Sequence, residues 1–169
     1  MALPSKLKNF TMFSDGINHI GKIPETTLPK LSRKMEAIRL GGMDGTVDID
    51  LGGEALTLEY TAGGIVRELI RQYGATSAGA YLTRFAGAYL RDDTGDVDAV
   101  EVYVRGRPKE IDMGGAKPGD DTAHKYSISC SYYKLVINGF VEIEIDVLNF
   151  IFNVGGVDRL AQQRRALGI

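Results

Sequence analysis

VDAVEVYVRGRPKEIDM (residues 97–113) and KYSISCSYYKLVI (residues 125–137) alternate between apolar and polar side chains. A period of two is that of a β-strand with one packed face and one wet face. At ~3.4 Å per residue, twelve residues of strand reach ~40 Å, which is long for a domain of this size. We therefore expect long hairpins, of the kind that several subunits close into a shared barrel, because closure removes exposed sheet edges.

Other segments carry the same strand signal. TVDIDL (46–51) alternates strictly and follows the glycine-rich turn 41–45, which predicts a hairpin with residues 31–40. Asn138-Gly139 lies between two alternating runs and is the strongest short-range hairpin signal. Further strands are expected over residues 54–60, 81–90 and 140–154. The sequence thus predicts a mainly β protein with a sandwich-like or barrel-like fold.

Helical spacing is found in two places. Apolar residues recur every three to four positions from Ile65 to Tyr73, and Gly74 then ends the pattern, which predicts one amphipathic α-helix. Residues 155–169 are predicted to form a C-terminal helical tail that ends at Gly168. Residues 1–30 contain three prolines and no sustained period, so they are expected to form an extended N-terminal arm with at most one short strand. Together these parts make one domain, 1–169.

Composition excludes several classes of protein. The chain has 169 residues, of which 44% are apolar and 25% are charged, and it has no apolar run long enough for a membrane span. No secretory signal is recognised at the N-terminus, so we expect synthesis and retention in a cytoplasm. The net charge of −2 argues against sequence-specific nucleic-acid binding. The lone Cys130 excludes an internal disulfide framework and makes a cysteine-based zinc site implausible.

No catalytic constellation is apparent. His19 and His124 have no sequence reason to meet, and Cys130 falls on the apolar side of its strand. The acidic run 92–98 lacks the glycine and glutamate positions of a calcium loop. The segment 114–121 has aspartates where a phosphate-binding loop needs Lys and Ser or Thr. We therefore predict no enzyme activity, no metal site and no cofactor.

Two sets of charged residues have structural explanations. Glu142, Glu144 and Asp146 share one face of one strand, which favours a solvated or intersubunit surface over a catalytic pair. Arg159, Arg164 and Arg165 either complement the dipole of the C-terminal helix or pair with acids of a neighbouring subunit. The sequence leaves both alternatives open for the arginines.

Six collinear segments resemble the major tail tube proteins of contractile-tailed bacteriophages and R-type bacteriocins. Residues 17–27 have no such counterpart. The matching segments are LPKLSRKMEAIRLGGMDG (28–45), RFAGAY (84–89), DTGDVDAVEVYVRGRPKEIDMG (93–114), SYYKLVING (131–139), EIDVLN (144–149) and GVDRLAQQRRALGI (156–169).

The resemblance implies a structural protein of the inner tail tube. Members stack as hexameric rings, and their long hairpins form a shared β-barrel around a lumen for DNA passage or membrane puncture. The implied partners are further copies, the sheath protein, the tape measure protein, the baseplate and the tail terminator. DNA would pass without sequence-specific binding if the particle is a phage. The implied location is the virion tail or a bacteriocin particle, assembled in the cytoplasm of the bacterial host.

Two sets of residues follow as hypotheses. The lumen would be coated by Asp48, Asp50, Glu101, Ser127, Ser129 and Ser131, a wall with few phosphate-binding cations. Contacts between rings or subunits would involve Lys6, Lys8, Met43, Asp44, Lys117, Asp120, Asp121, Arg159, Arg164 and Arg165. The alternatives are a tube protein of a type VI secretion system and, from a different class, a monomeric ligand-binding β-barrel or a small hydrolase.

Overall fold

A computed structural model describes residues 2–169 and is mainly β. The strands are β1 (Lys6–Ser14), β2 (Ile17–Asn18), β3 (Glu25–Thr27), β4 (Arg33–Ile38), β5 (Val47–Gly53), β6 (Leu56–Ala62), β7 (Tyr81–Leu90), β8 (Val97–Asp112), β9 (His124–Ile137), β10 (Phe140–Asp146), β11 (Ile151–Val154) and β12 (Val157–Asp158). The helices are α1 (Arg67–Ile70) and α2 (Ala161–Leu167). The predicted mainly β fold is confirmed.

The long strand β9 organises the main sheet. One of its edges pairs along its length with β8, and the other edge is shared, with β6 on residues 124–130 and β10 on residues 132–137. The main path runs β12-β11-β10-β9-β8-β7-β1-β2, while β3 extends the branch beyond β6. The path has two ends and does not close on itself within the described chain. The long hairpin predicted from the alternation over residues 97–137 therefore forms the centre of the main sheet.

The N-terminal segment differs from the predicted arm. β1 pairs with β7 along almost its whole length, and Met12 and His19 are among the most buried side chains. Pro4 precedes β1, and the other two prolines follow β2, so none of them interrupts the β1 strand. The prediction of an extended arm over residues 1–30 is therefore wrong for the described part, 2–30.

One buried cluster holds the sheet together. It contains Leu56, Leu58 and Tyr60 of β6, Val102 and Val104 of β8, and Tyr126, Ile128 and Tyr133 of β9. The rings of Tyr60 and Tyr126 stack with centroids 5.1 Å apart. Val66 and Leu69 join the cluster from the segment around α1. Burying side chains of this size contributes about 1.5–3 kcal/mol each relative to leaving them exposed.

The two helical predictions were longer than the helices themselves. α1 has a single turn, 67–70, inside the predicted 65–73 pattern. The predicted C-terminal tail begins with β12, which pairs with β11, and becomes helical only at Ala161. α2 ends where predicted, because Gly168 takes the left-handed conformation (φ 73°) that ends many helices.

The hairpin β4–β5 forms a separate two-stranded sheet, with no strand pairing to the main sheet. Paired residues of antiparallel strands share a face, so Ile38, Val47 and Ile49 lie on one side, together with Glu36, which pairs with Ile49. Val47 is 49% exposed and Ile49 is 43% exposed. An isolated two-stranded hairpin is at best marginally stable in water. This apolar face therefore lacks a packing partner within the described chain.

Candidate assembly and channel surfaces

The face of the sheet opposite the core is polar at the end of the β8–β9 hairpin. The pairing aligns Thr27, Glu59, Ser127 and Glu110 in one row across β3, β6, β9 and β8. The next row on the same face is Glu25, Thr61, Lys125 and Asp112. Seven of these residues, all but Asp112, line a groove of about 240 Å³. We call this groove the polar groove.

Farther along the same face, side chains form a network of hydrogen bonds and cation–π contacts. Arg84 pairs with Glu101, and the Tyr103 hydroxyl donates to the second Glu101 oxygen at 2.8 Å. The Arg84 guanidinium lies 4.9 Å from the Phe13 ring centroid, and the Lys134 ammonium lies 4.7 Å from that of Tyr103. Burial acts to raise the pKa of Glu101, but hydrogen bonds from Arg84 and Tyr103 outweigh it and hold this pKa below its usual value. Glu101 therefore lies at the centre of a charged, half-buried band.

Three of the predicted lumen residues lie on this polar face. Ser129 pairs with Arg107, Ser127 pairs with Glu110, and Glu101 shares the outward side of β8 with Arg107. Ser129 is exposed, whereas Ser127 is only 8% exposed. The face also carries Arg105, Arg107, Lys125 and Lys134. This polar face therefore carries more cations than expected. The alternating pattern identifies the solvent-facing side of each strand, but it does not give the net charge of the face that the strands form together.

Asp48 and Asp50 lie on the separate hairpin, on the face opposite its apolar side. Asp50 accepts hydrogen bonds from the Arg33 side chain and, at 2.8 Å, from the Gly52 backbone N–H. These two hydrogen bonds lower the pKa of Asp50. Asp48 is exposed and makes no ion pair within residues 2–169. Asp48 is therefore the freer of the two carboxylates.

Ser131 occupies an irregular position in β9. Arg105 pairs with Tyr132 and the next residue, Gly106, pairs with Cys130, which leaves Ser131 as an extra residue in a β-bulge. Its hydroxyl donates to the carbonyl oxygen of Ala78 at 3.3 Å. Beyond the bulge Tyr133 is buried, whereas Tyr132 and Lys134 on either side of it are only half-buried. Ser131 is therefore not part of a simple row with Ser127 and Ser129.

Some of the predicted intersubunit residues have partners within the chain. Lys8 pairs with Asp92 at 3.0 Å, and the Leu3 N–H donates to Asp93 at 2.9 Å. The basic N-terminal segment thus meets an acidic turn of its own chain. Lys6 lies beside them, is exposed and makes no ion pair within the described residues.

The predicted contact residues at the hairpin tips lie in exposed turns. Lys117 and Asp120 form an exposed ion pair at 3.8 Å in the loop between β8 and β9. Asp121 accepts a hydrogen bond from the Thr122 N–H at 2.9 Å. The Met43 sulfur accepts one from the Leu40 N–H in the β4–β5 turn, and Asp44 next to it is exposed.

The C-terminal arginines separate into two kinds. Arg164 pairs with Asp158, and its hydrogen bond to that carboxylate lowers the pKa of Asp158. Arg164 also donates to the Phe150 carbonyl oxygen at 2.9 Å. Arg159 and Arg165 are exposed. Arg164 therefore fastens α2 to the β10–β11 turn, whereas the other two arginines remain at the surface.

Glu142, Glu144 and Asp146 do not form one row. A register shift falls between Val141 and Ile143 in the pairing of β10 with β9. Glu144 accepts a hydrogen bond from Tyr132 at 2.8 Å, and Asp146 accepts from the Leu148 and Asn149 N–H groups of the following turn.

A larger, mainly apolar groove of about 810 Å³ lies between the base of the β4–β5 hairpin and the β10–β11 hairpin. Leu51, Leu56, Ile143 and Phe152 contribute to its lining. The Arg33 guanidinium lies 5.1 Å from the centroid of the Phe152 ring.

The reactive residue types are dispersed. Burial raises the pKa of the Cys130 thiol to about 11, so the thiol is protonated and inert at neutral pH. Among residues 2–169, no three His, Cys, Asp or Glu side chains lie close enough to hold a metal ion. No helix in this part of the chain is long and apolar enough to cross a membrane.

Sequence reasoning missed the polar groove. Glu59, Glu110 and Lys125 come from three strands, and no short motif joins them. The available signal was strand parity, since Glu59 alternates with the apolar Leu58 and Tyr60. The cross-strand register that aligns Glu59, Ser127 and Glu110 depends on bulges that this alternation does not reveal.

The fold is that of tube-forming and tube-capping subunits of contractile injection systems. The chain is similar to the sheath/tube terminator of an extracellular contractile injection system (TM-score 0.59, 8% identity, 80% of this chain and 97% of that chain). It also resembles the cap of the anti-feeding prophage tube (TM-score 0.59, 10% identity, 80% of this chain and 93% of that chain).

Sequence comparison identifies the family. The model of the phage tail tube protein FII family matches residues 4–168. The chain is 47% identical to the tail tube protein of Escherichia phage P2 over 172 residues, covering 100% of both chains. It is 49% identical to the major tail tube protein of Serratia phage KSP20, covering 92% of this chain and 91% of that one. The chain therefore belongs to the phage tail tube protein FII family, whose role is structural, in the inner tail tube.

Proposed function

We propose that copies of this chain form hexameric rings that stack into the inner tube of a contractile particle. The observation that carries the proposal is the β4–β5 hairpin, which presents Ile38, Val47 and Ile49 without a packing partner in its own chain. Such a face is stabilised when a neighbouring copy covers it. In a closed ring each copy gives one patch and receives another, so the hairpin of one subunit packs on the body of the next.

The same assembly supplies the remaining partners. A sheath protein surrounds the tube, a tape measure protein sets its length, and the baseplate and a tail terminator close its ends. The particle is a phage tail or a bacteriocin, assembled in the host cytoplasm, and its tube carries DNA or punctures a membrane. The chain acts as a wall in this particle and carries out no catalysis.

The channel wall is assigned to polar strand faces. Asp48 and Asp50 on the hairpin and Glu101, Ser129 and Ser131 on the β8–β9 sheet line it, whereas Ser127, only 8% exposed, lies in the polar groove instead. Glu101 is neutralised by Arg84. Asp48 makes no ion pair within residues 2–169 and contributes negative charge to the wall. Negative charge at the wall keeps DNA phosphates from binding during passage.

Assembly of the purified chain tests the proposal. We expect wild-type protein to form rings or tubes in negative-stain electron microscopy. We expect Ile49→Asp to reduce assembly strongly while leaving the melting temperature of the monomer unchanged, since Ile49 is already 43% exposed there. A wild-type protein that stays monomeric at every concentration would refute the proposal.

The ligand-binding alternative has one observation in its favour. The 810 Å³ groove falls in the size range of small-molecule pockets, which are mostly apolar with a few placed polar groups. A ligand-binding monomer would show no dependence of its mass on concentration. Sedimentation over a wide concentration range therefore separates the two functions.

A further inference from the structure

The polar groove contains a buried hydroxyl without a partner. Ser127 is 8% exposed, its Oγ has no hydrogen-bond partner in the described chain, and it lines the groove. Strand pairing places it directly between Glu59 and Glu110. A buried hydroxyl that stays unpaired is destabilising. The groove therefore has an acceptor oxygen at its base and carboxylates on both sides.

The charge around the groove is negative. Glu25, Glu59, Glu110 and Asp112 share this part of the sheet with Arg107 and Lys125, and with Lys109 in the bulge before Glu110. The carboxylates are too dispersed to hold a metal ion among the described residues. An ammonium group has three donors on a long flexible stem, so it can reach two carboxylates and one hydroxyl together. A volume of about 240 Å³ admits a lysine side chain.

The opposite end of the sheet presents such a side chain. Lys6 pairs with Leu90, which in turn pairs with Val97 at the start of β8, while the groove lies at the end of this 16-residue strand. The two places are thus separated by roughly 50 Å along the strands. In the Lys6 corner, Lys8 is paired with Asp92 and Arg91 with Asp98. Lys6 is exposed and makes no ion pair within residues 2–169.

We propose that the polar groove of one copy receives Lys6 of the next copy in the stack. The inference rests on the proposed tube, because only a head-to-tail stack brings opposite ends of two identical sheets together. The Lys6 ammonium lies between Glu59 and Glu110 and donates to Ser127 Oγ. A single cation in a mainly acidic groove fixes the register between successive rings, because any rotation that moves it out leaves the groove charge uncompensated.

Cysteine cross-linking tests the contact directly. In tubes assembled from Lys6→Cys/Glu59→Cys protein in a Cys130→Ala background, a short bis-maleimide cross-linker should give a ladder of linked chains on a denaturing gel, because the extended Lys–Glu pair leaves the two Cα atoms too far apart for a disulfide. Either cysteine alone should give none, since the contact joins two different patches. Tubes of the double variant that yield no ladder would overturn the inference.

Charge reversal provides a test that does not depend on the cysteines. Lys6→Glu and Glu59→Lys should each reduce the mass of sedimentable tube at least tenfold, and the doubly reversed protein should recover most of it. Lys30→Glu, a reversal at another exposed lysine, should assemble normally. If the single reversals assemble like wild type, or the double reversal gives no recovery, the Lys6 assignment is wrong. Wild-type protein that forms no tube contradicts the proposed function itself.

Discussion

At the scale of single residues, the β-bulge at Ser131 decides which side chains of β9 reach the core. Tyr126, Ile128 and Cys130 point inward before it, and Tyr133 points inward after it. Simple alternation across the whole strand would have placed Tyr133 on the wet face. The residue identities predicted the strand, but the bulge depends on pairing with Gly106 and cannot be found from periodicity alone.

Gly106 is required because the backbone of the paired strand β9 fills the space that a side chain at this position would need. A Cβ at this position would lie 2.3 Å from the Ser129 carbonyl oxygen. Gly106→Ala should therefore destabilise the chain by about 1–3 kcal/mol, or roughly 2–4 °C in melting temperature per kcal/mol. Gly115→Ala, where nothing lies within 4 Å, is the matched control and should melt like wild type. Equal melting temperatures for the two variants would show that the bulge relaxes.

His19 makes the stability of the fold depend on pH. It is 1% exposed, neither ring nitrogen has a hydrogen-bond partner, and burial, followed by the charge of Lys22, lowers its pKa below 6.5, while Glu68 acts in the opposite direction. The unfolded chain takes up a proton below about pH 6.5 and the folded chain resists it, so stability is lost as pH falls from 6.5 towards the lowered folded pKa.

The measurement is the change in melting temperature between about pH 7.5 and 5.5. Wild type should lose several degrees more than His19→Gln, which has no titrating group at this position. His124 is present in both proteins, so its contribution cancels. An equal loss in the two proteins would mean that His19 protonates as easily folded as unfolded.

At the scale of elements, the alternating hairpins were predictable and the N-terminal strand was not. β7 has the predicted bounds of 81 and 90, and β8 and β9 differ from their predicted bounds by one residue. Long stretches of β8 and β9 alternate, so local sequence indicates these strands. Pro4, Pro24 and Pro29 predict irregular structure for this segment, but all three lie outside β1. Its place in the sheet depends on long-range pairing with β7.

The turns at the two hairpin tips should change on assembly. Residues 41–45 and 114–123 are mostly exposed and are tied by few contacts in the single chain. Their amides should exchange quickly in the monomer and at least tenfold more slowly in the tube, if neighbouring rings cover them. Hydrogen exchange followed by mass spectrometry measures both states, with the core strand β6 as an internal reference. Equal protection in monomer and tube would place both turns away from the contacts.

At the scale of the whole molecule, substitutions of Asp48 test whether this residue lines the channel. Asp48→Lys should slow DNA passage in a phage particle, because a cation on the wall binds phosphate. Asp48→Asn removes the charge without adding a cation and should have a smaller effect. Asp50 is less suitable, since Asp50→Lys also removes the ion pair with Arg33. Ejection kinetics of intact particles give the answer, and an Asp48→Lys rate equal to wild type would remove Asp48 from the wall.

The sequence alone also reveals the resemblance to tail tube proteins, because six segments match that family in the same order along the chain. The surfaces between subunits were harder to predict. Arg164 and Lys8 looked like intersubunit residues, yet each has a carboxylate partner in its own chain. Charged residues of one sign attract any available opposite charge, so only three-dimensional proximity distinguishes an internal pair from an external one.

A cryo-electron microscopy reconstruction of tubes assembled from the purified chain tests the central claim most directly. The account predicts stacked rings of six subunits, with the β4–β5 hairpin packed by its Val47 and Ile49 face on a neighbouring subunit and Asp48 facing a continuous channel. A map in which this apolar face remains open to solvent, or in which the rings enclose no channel, would contradict it.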